Sequence, residues 1–194
     1  MLHIVDDEDV IRDSLAWLAE SRGIDACGYA SSQAFLERAG ASFDPGGDCV
    51  LLDVRMPDLN GVAVFDQLSG RALTGRLPVI FLTGHGDVPM AVDTLKRGAF
   101  DFFEKPFNDN QLMDRVQEAL AQSRRAGEGA AVRGRLATLS AREREVLDLI
   151  LVGKLNKVVA DQLGISMRTV EVHRANVLDK MQVKTVVELA GLLR

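Results

Sequence analysis

The 194-residue chain predicts a parallel α/β domain of five strands followed by a small all-α domain. Three observations lead there. Up to about residue 123, short apolar runs alternate with segments of helical spacing, as in a parallel sheet covered on both faces. From residue 139 onward only helical patterns occur. The charge also changes sign: residues 1–123 hold 10 Lys and Arg against 20 Asp and Glu (−10), and residues 124–194 hold 13 against 8 (+5). Two domains with different partners fit that asymmetry, the basic one suited to a polyanion.

Each element follows from local chemistry. Leu2–Val5 reads as a buried strand that ends in acids, and Ile11–Leu18 has helical spacing. Ile24–Tyr29 is a second strand, and Ser31 or Ser32 caps the helix that carries Phe35 and Leu36. Cys49–Leu52 is a third strand ending in Asp53; Pro57, Asn60 and Gly61 then break the chain before a helix with Val64, Phe65 and Leu68. Pro78–Leu82 is the fourth strand, followed by a helix from about Val88 to Arg97 and a fifth strand, Ala99–Phe103. Asn108 or Asp109 caps a last helix to about Ser123. Residues 124–137, rich in Gly, Ala and Arg without an apolar period, read as a linker whose first turn can extend that helix.

In the basic half, Ser140 with Glu143 three residues on forms a capping box, and Val146, Leu147, Ile150 and Leu151 make an apolar stripe that Gly153 ends. Asn156–Leu163 is a short helix burying Val158, Val159 and Leu163. Gly164 turns the chain, and Ser166 caps a longer helix to about Met181 with Val170, Val177, Leu178 and Met181 inward. A short helix, a glycine turn and a longer helix make a helix-turn-helix pattern, whose second helix enters the major groove. Arg168, Glu171, Arg174, Ala175 and Asn176 lie off the apolar stripe, where Arg suits guanine or phosphate and Asn suits adenine.

Other classes are disfavoured. No run reaches the roughly 18 apolar residues of a membrane span. The first residues lack a basic segment and are not a secretory signal. Cys27 and Cys49 have no metal-type spacing and read as reduced core residues of a cytoplasmic protein.

The chemistry gathers at the strand ends, where open parallel sheets bind ligands. Asp6 and Asp7 follow strand one, Asp53 strand three, Thr83 strand four and Lys105 strand five. Clustered carboxylates repel, and Mg2+ with its oxygen ligands and waters relieves that. A hydroxyl and an ammonium beside them can hold a phosphoryl group.

The motifs Val5-Asp6-Asp7-Glu8, Leu52-Asp53-Val54-Arg55-Met56-Pro57, Thr83-Gly84-His85-Gly86 and Glu104-Lys105-Pro106-Phe107 resemble the receiver domain of bacterial two-component response regulators. That resemblance implies a flavodoxin-like sheet of order 2-1-3-4-5 over residues 1–123. It implies that Asp53 takes a phosphoryl group from a cognate histidine kinase. Asp6, Asp7, Asp53 and the backbone carbonyl of Arg55 would hold Mg2+, and Thr83 and Lys105 would bind the phosphoryl oxygens. A cis bond before Pro106 is expected, with Phe102 as the switch aromatic, although it lacks a tyrosine hydroxyl. Arg55 and His85 border the acyl phosphate and are expected to tune its lifetime.

The run Leu139-Ser140-x-Arg142-Glu143-x-Glu145-Val146-Leu147, then Asn156-Lys157-x-Val159-Ala160-x-x-Leu163, then Ser166-x-x-Thr169-Val170-x-x-His173, resembles the LuxR-type helix-turn-helix domain over residues 138–194. Together the halves resemble the NarL/FixJ class, closest to its FixJ-like branch. By that resemblance Glu171, Val172 and Ala175 are base-facing, Lys157, Arg168, Thr169, Arg174 and Lys180 contact phosphates, and Asn176 joins the same face. The helix of about Thr185–Leu193 is the usual dimer element. The partners implied are double-stranded DNA, a second copy on phosphorylation and RNA polymerase, with no membrane. A phosphatase reading lacks the acid two residues after Asp53, where Arg55 stands, and a relay adaptor leaves the basic half unused.

Overall fold

The computed structural model describes residues 1–84 and 88–193, which form two units, Met1–Gly127 and Glu128–Arg194. In the first unit, strands β1 (Leu2–Val5), β2 (Ala26–Tyr29), β3 (Cys49–Asp53), β4 (Val79–Thr83) and β5 (Asp101–Glu104) form one parallel sheet ordered β2-β1-β3-β4-β5. Helices α1 (Asp9–Ser21), α2 (Ser32–Arg38), α3 (Gly61–Gly70) and α4 (Val88–Lys96) link the strands in turn. Every residue of β3 and β4 is buried, as a sheet covered on both faces requires.

The period-two side-chain alternation of the strands sorts two cores. Val5, Val50, Leu52, Val79 and Phe81 face Val64, Phe65 and Leu68, with Phe65 edge-on to Phe81 at 5.6 Å. Leu2, Ile4, Leu51, Ile80 and Leu82 face Leu15, Ala19, Leu112, Met113 and Val116. The predicted cap Ser31 accepts from the Ala34 amide, and Asn60, expected only to break the chain, caps α3 by accepting from the Ala63 amide. Cys49 is buried, Cys27 is half-buried, and both are free thiols.

Residues 124–137 are not a coil. Helix α5 runs through Asp109–Ala137, so the division between the units falls inside it rather than around a linker. Ala, Arg and Glu favour helix strongly enough to carry Gly127, Gly129 and Gly134, each of which costs about 1 kcal/mol. Val132 and Leu136, one turn apart, pack with the helical core, a signal too short to register as a period.

The second unit packs α6 (Ala141–Leu151), α7 (Asn156–Leu163), α8 (Met167–Met181) and α9 (Val186–Leu192) around Val146, Ile150, Val159, Val170, Val177, Met181 and Leu189. The Ser140–Glu143 capping box is complete, and Gly164 caps α7 with φ of 64°. Val158, expected inside, is 36% exposed, because α7 turns Val159 and Ala160 to the core. No described helix is long and apolar enough to cross a membrane.

Candidate functional site

The register of the sheet brings the acids together. Val5 pairs with Leu52, so Asp6 leaves β1 beside Asp53, the last residue of β3. Asp53 pairs with Leu82 and Thr83 with Glu104, which sets Thr83 and Lys105 at the neighbouring ends. The Lys105 amide donates to the Thr83 carbonyl at 2.6 Å. Its ammonium donates to Asp6 Oδ2 and to Asp53 Oδ1, each at 2.8 Å. The Lys105–Pro106 bond is cis.

Backbone donors fix the remaining carboxylate oxygens: the Arg55 amide on Asp53 Oδ2 at 2.7 Å and the Glu8 amide on Asp6 Oδ1 at 2.9 Å. Asp6, Asp53 and Thr83 are buried. Burial pushes the Asp53 carboxyl above its ordinary pKa; the bond and charge of Lys105 oppose that, and the Asp6 charge adds to it. For Lys105, burial favours the neutral amine, but the bonds to Asp53 and Asp6 outweigh it and hold the ammonium protonated above its usual range.

Asp7 is exposed and lines an open cleft of about 810 Å³ with Arg55, Met56, Pro57, Asn60 and Asp66. Among the described residues no three of His, Cys, Asp and Glu converge as a metal cluster, and the ammonium of Lys105 is the cation between Asp6 and Asp53. The donor set still suits Mg2+, which takes one or two carboxylates and keeps several waters. Phe102 is half-buried against the Phe65–Phe81 core. His85 lies outside the described residues.

Two residues that sequence reasoning left without a site role hold this pocket. A Cβ on Gly61 would stand 2.4 Å from the Asp53 carbonyl oxygen, so the chain after β3 can turn back only over a glycine. The Arg12 guanidinium donates to the Asp6 carbonyl at 2.6 Å and pairs with Asp9. Gly61 stood in the sequence only as part of the break before a helix, and nothing local marked Arg12.

On the helical unit, Arg168, Glu171, Val172, Ala175 and Asn176 are exposed at helical spacing along one face of α8. Lys157 is exposed beside a cleft of about 450 Å³ that it shares with Lys154, Leu155, Asn156, Met167 and Arg174. Arg174 donates to Asn156 Oδ1 at 2.9 Å. Half-buried Thr169 bonds Ser166 through its hydroxyl, and its amide donates to the capping Ser166 oxygen. The Lys180 ammonium stands 2.7 Å from Glu143 Oε2 and 3.3 Å from the Thr138 carbonyl, which gives the buried carboxylate its partner.

Comparison with known proteins agrees with both halves. The family of response regulator receiver domains matches residues 2–117, and that of bacterial regulatory proteins of the luxR family matches residues 137–193. The chain is 44% identical to the transcriptional regulatory protein FixJ of Azorhizobium caulinodans, over 98% of this chain and 90% of that one. It is 50% identical to the C4-dicarboxylate transport transcriptional regulatory protein DctR of Rhodobacter capsulatus, over 98% of each. Among solved structures, the response regulator StyR superposes with a TM-score of 0.71 at 34% identity, covering 99% of this chain and 96% of that one. Full-length FixJ from B. japonicum gives 0.57 at 40% identity, covering 98% and 94%. A parallel sheet with its acids on one lysine, a helix-turn-helix domain later in the chain and these full-length likenesses place the chain in the FixJ-like family of two-component response regulators, DNA-binding regulators of transcription.

Proposed function

We propose that Asp53 is the phosphoacceptor, and that its modification changes how the helical unit binds a duplex. The observation that carries this is the ammonium of Lys105 shared at 2.8 Å by the buried Asp6 and Asp53, beside Thr83. A carboxylate oxygen of Asp53 attacks the phosphorus of a phosphohistidine on the cognate kinase. The new O–P bond forms as the P–N bond breaks, and the leaving imidazole nitrogen keeps the electron pair. Asp6, Asp7, Asp53 and the Arg55 carbonyl are the residues that would hold Mg2+, which supplies charge neutralisation of the phosphoryl oxygens. Thr83 donates a hydrogen bond to the transferred group and Lys105 a point charge, with Phe102 moving in response. Arg55 and His85 govern water access and so the lifetime of the acyl phosphate, whose hydrolysis is the only turnover in this reading. The chain is a regulator and not an enzyme acting on a separate substrate.

Phosphorylation favours a dimer through α4, β5 and α5, so that two helical units reach two half-sites together. Arg168, Glu171, Val172, Ala175 and Asn176 face the groove, and Lys157, Thr169 and Arg174 face the phosphates. RNA polymerase is the further partner on the DNA. The test is incubation with acetyl phosphate and Mg2+ followed by intact-protein mass spectrometry and duplex binding. The wild type gains one phosphoryl group and binds a selected duplex more tightly. Asp53→Asn, which keeps the Lys105–Asp6 pair, gains none and does not respond. A phosphoryl group on Asp53→Asn would refute the assignment.

A further inference from the structure

Lys180 stands in the last turn of α8, the helix that presents the reading face, and its ammonium pairs with a buried carboxylate while its own side chain is 36% exposed. Glu143 is 4% exposed, and its Oε2 accepts from the Ser140 amide at 2.8 Å and from Lys180 at 2.7 Å. The same ammonium reaches the Thr138 carbonyl at 3.3 Å. From another element, the Arg135 guanidinium donates to the Met181 carbonyl at 2.8 Å. Val177 and Met181 are fully buried beside these ties. The C-terminal turn of α8 is therefore fixed to the start of α6 and the end of α5.

We infer that Lys180 and Glu143 are positioning residues of the DNA interface, setting the angle at which α8 meets the groove, and that Lys180 is not a phosphate contact. This rests on the duplex-binding reading above. Lys180 lies eight residues from Val172, about 12 Å along the helix axis. A tilt of about 10° at the brace moves the reading residues by about 2 Å over that arm. Base-edge hydrogen bonds work only within a few tenths of an ångström of about 2.9 Å and are lost. Contacts of flexible Lys and Arg side chains with phosphates follow the backbone and survive, because they carry register but no sequence information. The brace thus separates selective from unselective binding. A phosphate contact at Lys180 would contribute to both, and its removal would lower the salt slope by about 0.9.

The experiment uses the full chain treated with acetyl phosphate and Mg2+. Its two probes are a duplex selected by the wild type from a random pool and an unselected duplex of equal length, each titrated over a range of KCl concentrations. Lys180→Met and Glu143→Gln are expected to weaken the selected duplex about tenfold or more, the unselected one less than about twofold, with the salt slope unchanged. Lys180→Arg restores most of the selectivity. The double variant Glu143→Gln/Lys180→Met leaves no buried charge unpaired, so it folds even where a single variant does not, and it shows the same loss. Equal weakening of both duplexes by Lys180→Met with a slope lowered by about 0.9 overturns the inference, as does full selectivity in the double variant. A wild type that selects no duplex overturns the DNA reading itself, and the inference with it.

Discussion

Replacing Lys105 by Met removes the one ammonium that Asp6 and Asp53 share, and the consequence can be bounded. Each N–O pair is 2.8 Å long, and the Asp6 and Asp53 side chains are 1% and 8% exposed. At an effective dielectric constant of about 20, a pair at that distance is worth roughly 6 kcal/mol before desolvation is charged against it. The net loss is smaller because a carboxyl can escape by taking a proton. At pH 7 that escape costs about 1.36 × (7 − 3.9), or about 4 kcal/mol, which caps the effect of one stranded acid. The expected loss of receiver stability is therefore about 3–4 kcal/mol at pH 7, within the range for broken buried pairs. The sign with pH follows. An Asp53 carboxyl raised further in the variant is least favourable when ionised, so the variant regains stability as pH falls from 7 towards 5. Mg2+ at a hundred times its dissociation constant adds about 2.7 kcal/mol, and it binds the variant more tightly because no ammonium competes for the two carboxylates. Urea unfolding followed by circular dichroism at pH 7 and pH 5, with and without Mg2+, measures all of this. A loss below about 1 kcal/mol at pH 7, or no recovery at pH 5, would show that Lys105 does not neutralise these acids in the folded chain.

Two further outcomes are expected. The bonds from Lys180 and from the Ser140 amide hold the Glu143 carboxyl down at about 2 against an ordinary 4.5, so its contribution is complete above pH 4.5 and is lost as pH falls towards 2. With one partner, Lys180, 36% exposed, that contribution is about 2 kcal/mol; hydrogen exchange of α6 and α8 across this range should show it in the wild type and not in Glu143→Gln. Gly61→Ala sets a methyl 2.4 Å from the Asp53 carbonyl oxygen and 3.1 Å from Val54 Cα, against backbone that cannot swing away. It should cost about 2–3 kcal/mol in urea unfolding and slow phosphorylation by acetyl phosphate, whereas unchanged values for both would mean that the turn after β3 has slack.

The amino-acid sequence by itself determined the elements and most of the pocket. The apolar runs of β1, β3 and β4 lead into Asp6, Asp53 and Thr83, and their short length between turn residues reads as strands covered on both faces. The caps Ser31, Ser140 and Ser166 mark helix starts because their oxygens satisfy amides that lie within a few residues. Strand order came from resemblance, because hydrogen bonding between strands depends on partners far along the chain. Tertiary structure decided which atoms of these groups bond to one another. It placed Lys105 between Asp6 and Asp53 across separations of 99 and 52 residues, and it laid Arg12 on the Asp6 carbonyl. It paired Lys180 with Glu143, 37 residues away, where the family resemblance had implied a phosphate contact. It also carried α5 through residues 124–137, since Val132 and Leu136 gain their apolar burial only once the helical core exists. Periodicity records which side of an element avoids water; the partner of a long polar side chain is chosen by the folded surface around it.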